Sequence, residues 1–269
     1  YAEIKGHFAV MGGSFSGGDG NAIKDHPIYP AGINHALYRW IDFQATYSNN
    51  FSINNAAKGG LTNQFTLVDG CDITGGQNGL DFTRHNSSTT GWFDDVILQN
   101  NAFHDLGSPG QGYGLMGGSL ERITIRDNIF YGTPLSDIQI IKDDGDASTE
   151  DDFHEVSLQM YRNKFWKSST PTTTLQMLDF QQIKDINMSD NIFVNDGVTG
   201  GSTNIATLVF PETYNWIIDN NTYWSPGISH PFKQSGVDSY SFAGWQALGF
   251  DINGSNTDPQ FTNPANGVF

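Results

Sequence analysis

Apolar and polar positions alternate in short runs along most of the chain, as in Arg122–Arg126, Val156–Met160 and Ile183–Met188. A two-residue period predicts strands with one buried face. Gly, Asn and Asp clusters separate these runs, and Val, Ile and Phe dominate them, so the class read from the pattern is all-β. One stretch departs from it: Phe242–Leu248 has the spacing of a short amphipathic helix. An extended closing segment, Asp258–Pro264, follows it.

A longer period organises the strands. Asn101-Ala102-Phe103, Asn128-Ile129-Phe130, Asn163-Lys164-Phe165, Asn191-Ile192-Phe193 and Asn221-Thr222-Tyr223 repeat one tripeptide theme, and Phe15, Phe43 and Ile73 continue its apolar anchor upstream. The successive anchor spacings are 28, 30, 30, 27, 35, 28 and 30 residues. A second strand follows each anchor by about ten residues, for example Gly79–Phe82, Asp137–Ile140 and Thr174–Met177. Two or three strands per repeat make one turn of a solenoid, which buries its apolar face only by stacking on its neighbours. In register, the side-chain amides of successive Asn residues can bond to one another as a ladder. Asn also tolerates the backbone angles of a sharp turn.

This pattern resembles the right-handed parallel β-helix of pectin-lyase-like proteins across residues 5 to 225. The resemblance implies a single-stranded solenoid of about eight coils over 1–230, with 231–269 packed on the same domain as a C-terminal helix and extended closing segment. The N-terminal residues already read as strand, so a neighbouring domain or chain is expected to cover that open edge.

The chain carries 29 Asp+Glu against 13 Lys+Arg, for a net charge of −16. That balance excludes nucleic acid as an expected partner, because such binding needs a basic surface. No apolar run approaches the length of a membrane span, so membrane insertion is not expected. Cys71 is the single cysteine, which excludes an intrachain disulfide. The chain begins at Tyr1 without a secretory leader, which reads as a processed product or a fragment. The setting expected for this fold is extracellular or at the cell surface.

Equal offsets from the anchors mark residues expected to be neighbours on the outer face. They give one polar stripe: His26 and Tyr29, then Asn54, Asn55 and Lys58, then Arg84 and His85, then Tyr113, then Gln139 and Lys142. Arg39 lies beside the His26/Tyr29 segment. In a chain with so few cations, their gathering on one stripe is the chief functional signal. The segment Gly79–Asn86, with Arg84-His85, resembles the strand ending in Arg-His-Gly of β-helix alginate lyases and chondroitinase B, in which a Lys pairs with that Arg one turn later. Asn86 stands where that family has Gly, and no carboxylate precedes Lys58 as a calcium ligand. The resemblance implies a polysaccharide lyase acting by β-elimination on a uronic-acid polysaccharide, with Lys58 as base. On chemical grounds Arg84 suits the uronate carboxylate, and His85 or Tyr113 the leaving-group proton. A uronate epimerase would use similar groups.

The 35-residue spacing holds an acidic insertion. Its Asp144, Asp146 and Glu150 alternate like calcium ligands, which makes Ca²⁺ the one cofactor suggested, although the pattern lacks the glycine and final glutamate of an EF-hand. A solvated acidic loop is the competing reading. The competing function is a non-catalytic β-helix: a phage spike, adhesin or filament subunit that binds carbohydrate or is structural.

Overall fold

The computed structural model describes residues 7–17, 35–45, 51–52, 64–76, 78–82, 93–107, 112–117, 120–133, 136–140, 156–168, 176–181, 183–196, 204–209, 215–234 and 239–269. They form a right-handed parallel β-solenoid, with an internal asparagine ladder and a short C-terminal helix at Phe242–Ala247.

The larger sheet has 14 strands and two arms that meet at the bent strand His35–Ala45, on which His7–Gly17 also pairs. The first arm continues through Phe65–Asp69, Val96–Gln99, Arg122–Arg126, Ser157–Tyr161, Asp185–Ser189 and Asn215–Asp219. The second continues through Asp72–Gly75, Ala102–His104, Ile129–Tyr131, Lys164–Ser168, Ile192–Asp196 and Thr222–Trp224. The smaller sheet, of eight strands, runs from Phe51–Ser52 through Asn78–Phe82, Tyr113–Gly117, Ser136–Ile140, Gln176–Gln181 and Asn204–Val209 to Phe232–Gln234, and Ser239–Tyr240 closes it antiparallel. About four turns, from Phe65 to Phe180, are interpretable through all three of their strands, rather than the roughly eight coils expected.

The anchor column is the core. Phe103, Phe130, Phe165, Phe193 and Tyr223 stack nearly parallel, with successive ring centroids 4.4, 4.8, 4.7 and 5.1 Å apart. That spacing matches the distance between neighbouring strands, so the sheet geometry itself sets the rings in offset contact. The column ends under the C-terminal segment, where Phe232 meets Tyr223 edge-on at 4.8 Å and stacks on Trp245 at the same distance. The helix carrying Trp245 starts at Ser241, whose hydroxyl accepts the N–H of Gly244.

The asparagine ladder runs beside this stack. Asn101 donates its side-chain amide and its backbone N–H to Oδ1 of Asn128, at 2.9 and 3.0 Å. The same pair of bonds joins Asn128 to Asn163, Asn163 to Asn191 and Asn191 to Asn221. Each of these amides also donates to a backbone carbonyl in the turn below, so a fully buried polar column is left satisfied. Cys71 occupies the lowest described rung and gives its N–H to Asn101.

The sharp backbone angle does not belong to the ladder residue. The left-handed residues are those just before it: Trp40, Gly70, Asn100, Asp127, Arg162, Asp190 and Asn220 all have φ between 56° and 65°. This column bends each turn from the first arm into the second. At Gly70 an added Cβ would meet the Trp40 indole at 2.7 Å, so glycine there leaves room for the exposed Trp40 side chain.

Candidate functional site

Leu80, Leu115, Ile138 and Leu178 of the smaller sheet are fully buried and face the core. The strand period turns the next residue of each outward. Register therefore makes one outer row of Asp81, Met116, Gln139 and Asp179. Gln139 Nε2 donates to Asp179 Oδ2 at 2.9 Å. Asp81 and Asp179 are only 6% and 8% exposed, which holds their carboxylates in a partly dehydrated surface rather than in open solvent. They stand three strand spacings apart, roughly 14 Å. A glycosidase pair needs about 5–10 Å, so these two carboxylates do not form a hydrolytic pair.

Of the expected stripe, Tyr113, Gln139 and Arg39 are described. Tyr113 starts its strand, and its N–H bonds to Oδ1 of Asn78 at 3.2 Å. It lies three residues before Met116, the register partner of Gln139, so Tyr113 and Gln139 occupy different rows of one sheet. Arg39 is on the larger sheet. Its Nε bonds Asp69 one turn later at 2.7 Å, and its guanidinium carbon lies 5.5 Å from the Trp40 ring centroid. His26, Tyr29, Asn54, Asn55, Lys58, Arg84, His85, Lys142, Asp144, Asp146 and Glu150 lie outside the described residues. The strands that lead toward four of them belong to the smaller sheet and run parallel. Phe51–Ser52 pairs in parallel with Asn78–Phe82, two strands before Ser136–Ile140 in the same sheet. The chain then continues toward Lys58, Arg84-His85 and Lys142 from the same end of that sheet.

Three of the four described arginines, Arg39, Arg122 and Arg162, are neutralised by carboxylates of neighbouring turns, whereas Arg126 bonds the neutral Gln99 one turn earlier, at 2.9 Å from its Nε. Arg122 bridges Asp94 and Asp95, and Arg162 holds Asp127 with two bonds of 2.7 and 2.8 Å. The Arg122 hydrogen bond keeps the Asp95 carboxyl below the usual carboxylate range. Burial alone would raise Asp69, but bonds from Asn100, Gln99 and Arg39 hold it low. The three carboxylate rungs tie turns together and leave their charge no surplus for a substrate anion.

A second polar cluster lies on the outer face of the second arm. His104 Nε2 meets Asp72 at 2.8 Å, Nδ1 meets Asp105 at 2.9 Å, and the ring stacks on Tyr131 at 4.9 Å. The bond to Asp72 is the main reason the imidazole titrates above its ordinary value, with Asp105 adding to it against the effect of burial. With both nitrogens engaged, His104 is not poised as a free base. Phe269 packs edge-on to Tyr131 at 6.2 Å and under the Lys164 ammonium, so this face seats the C-terminal segment. Sequence reasoning passed over His104 because it follows Phe103 immediately, inside the repeat rather than at the stripe's offset.

Among the described residues no group of three or more His, Cys, Asp or Glu side chains is arranged to hold a metal. Among the described residues no helix is long and apolar enough to cross a membrane. No protein-family model, curated protein or solved structure matches the chain.

Proposed function

We propose that this β-solenoid is a carbohydrate-active protein that cleaves a uronic-acid polysaccharide by β-elimination at the outer face and exit edge of its smaller sheet. The observation that carries this reading is the parallel pairing of Phe51–Ser52 with Asn78–Phe82. It supports placing Lys58 and Arg84-His85 on successive turns, the relationship that β-helix alginate lyases and chondroitinase B use. Arg84 neutralises the substrate carboxylate through its planar fork. Lys58 takes the C5 proton, a role that requires its pKa to be lowered, as a nearby cation such as Arg84 would do. His85 protonates the leaving oxygen, since Tyr113 stands at the entry end of its strand. Gln139, beside Asp179, meets sugar hydroxyls, and His26, Tyr29, Asn54, Asn55 and Lys142 complete the substrate contacts, while Arg39, on the larger sheet and bonded to Asp69, takes no part. Ca²⁺ on Asp144, Asp146 and Glu150 would offset the acidic insertion beside that edge. The polymer substrate places the protein outside the cell, with a neighbouring domain or chain over the strand His7–Gly17.

The acidic outer row favours a second reading. Asp81 and Asp179 repel a polyanion and suit the hydroxyls of a neutral saccharide, so a non-catalytic binding or structural solenoid would present this same face. The test is incubation with alginate, pectate, chondroitin and hyaluronan, with and without Ca²⁺, followed by ultraviolet absorbance of the unsaturated product. Activity lost in Lys58→Ala and Arg84→Ala supports elimination. No product from any uronan, with binding to neutral glycans instead, supports the second reading.

A further inference from the structure

One titratable cluster has no part in any surface chemistry. Lys167, on the strand Lys164–Ser168, and Asp137, on Ser136–Ile140, are both sealed inside the solenoid, at 3% and 0% exposure. Their Nζ and Oδ1 atoms are 3.5 Å apart. Thr133, also buried, lies between them: its Oγ1 accepts from Lys167 Nζ at 3.1 Å and its hydroxyl donates to Asp137 Oδ1. Lys167 Nζ donates as well to the Thr133 carbonyl at 3.0 Å. Oδ2 of Asp137 is buried without a hydrogen-bond partner.

An ion pair is poorly served there. Removing both charges from water costs more than an imperfect contact returns, and an unpartnered carboxylate oxygen adds to the deficit. Burial shifts both groups toward their neutral forms: the carboxyl is pushed up to about 6 and the amine is pushed down. An unprotonated amine is a nucleophile, and a protonated carboxyl is the electrophile that donates the acyl group.

We propose that Lys167 and Asp137 join in an intramolecular isopeptide bond that staples two successive turns. The reaction is a condensation with no change of oxidation state. The Nζ lone pair attacks Cγ of Asp137, the Nζ–Cγ bond forms and the Cγ–Oδ1 bond breaks. One proton passes from Nζ through the Thr133 hydroxyl to Oδ1, and that oxygen leaves as water with the carboxyl proton. The fixed positions of the groups make the step effectively unimolecular. The product is a neutral amide, which removes the buried charges. Its place in the fold gives it a use: the link closes the chain around the 35-residue spacing, the longest between anchors, where coupling between turns is hardest to maintain.

The experiment is intact mass spectrometry of the folded full chain, denatured just before injection. The expected mass is lower than that of the sequence by one water, about 18 Da, and trypsin then releases a branched peptide joining residues 127–142 to 165–184. The Lys167→Met variant gives its full calculated mass and no branched peptide. A folded native chain with full mass and separate peptides overturns the proposal, whether or not that variant folds. A loss of about 17 Da, the mass of ammonia, with the branch on Asn195, the buried register neighbour of Lys167, overturns the assignment to Asp137.

Discussion

Asp251 closes the asparagine ladder by taking, on one oxygen, the two donors of Asn221. Oδ1 accepts the backbone N–H at 3.0 Å and the side-chain amide at 2.8 Å. Its other oxygen accepts the Tyr223 hydroxyl at 2.6 Å and the Trp245 indole N–H at 3.3 Å. Every amide below points its hydrogens the same way, so the last rung needs acceptors and no donors. A carboxylate meets that need, and an amide would not.

Asp251→Asn is therefore expected to destabilise the fold by about 2 kcal/mol, because its NH₂ must face either Asn221 or the Tyr223–Trp245 pair. Asn163→Ala, in mid-ladder, is expected to cost about 3 kcal/mol, since it strands both donors of Asn128 and the Ile125 carbonyl in the interior. Urea unfolding followed by circular dichroism measures both.

Gly114→Ala is expected to be about as damaging as a ladder break, at roughly 2 kcal/mol or more, by overpacking. The new Cβ would meet the Asp137 carbonyl oxygen at 2.5 Å and the Phe130 ring at 2.9 Å. Gly249→Ala is the contrast: it meets no neighbour, and only its φ of 95° opposes the substitution. Thermal midpoints that fall more for Gly114→Ala than for Gly249→Ala match this reading; the reverse order contradicts it.

His104 links stability to pH. Its folded pKa lies above the ordinary value because the Asp72 and Asp105 contacts favour the imidazolium. The folded state therefore binds the proton more tightly than the unfolded chain. The stabilisation is fully present below the unfolded value of about 6.5 and is lost as pH rises through the higher folded value. Urea midpoints across that window should fall with pH in the native chain and fall less in His104→Gln. A His104 ring resonance that titrates below the ordinary value would refute the assignment.

Cys71 is expected to be inert. Burial pushes its thiol up to about 11, and the side chain is 2% exposed. A disulfide reagent at neutral pH should label it only after unfolding. Labelling at the rate of a free thiol in the folded protein would show that the lower end of the ladder opens locally.

The amino-acid sequence by itself determined the repeat. Each turn rebuilds the same surroundings, so Phe103, Phe130, Phe165 and Phe193 had to recur with their Asn partners at nearly constant spacing, and that recurrence is visible without coordinates. The closing helix at Phe242 was legible for the same local reason, as was the excess of acid over base. Tertiary structure decided what depends on register between turns. It assigned the left-handed angle to the residue before each ladder Asn, since the bend falls where the first arm ends. It placed Tyr113 and Gln139 in different rows, because offsets counted from the anchors ignore the turn between the second arm and the smaller sheet. It bound Arg39 to Asp69 and Arg162 to Asp127, drew Lys167 inward to Asp137, and ended the ladder on an aspartate. Such pairings join residues about thirty positions apart, and a shift of one residue on either strand turns a side chain from the interior to the surface. Local pattern carries the period of such a fold, while the closure of its turns decides which polar groups meet.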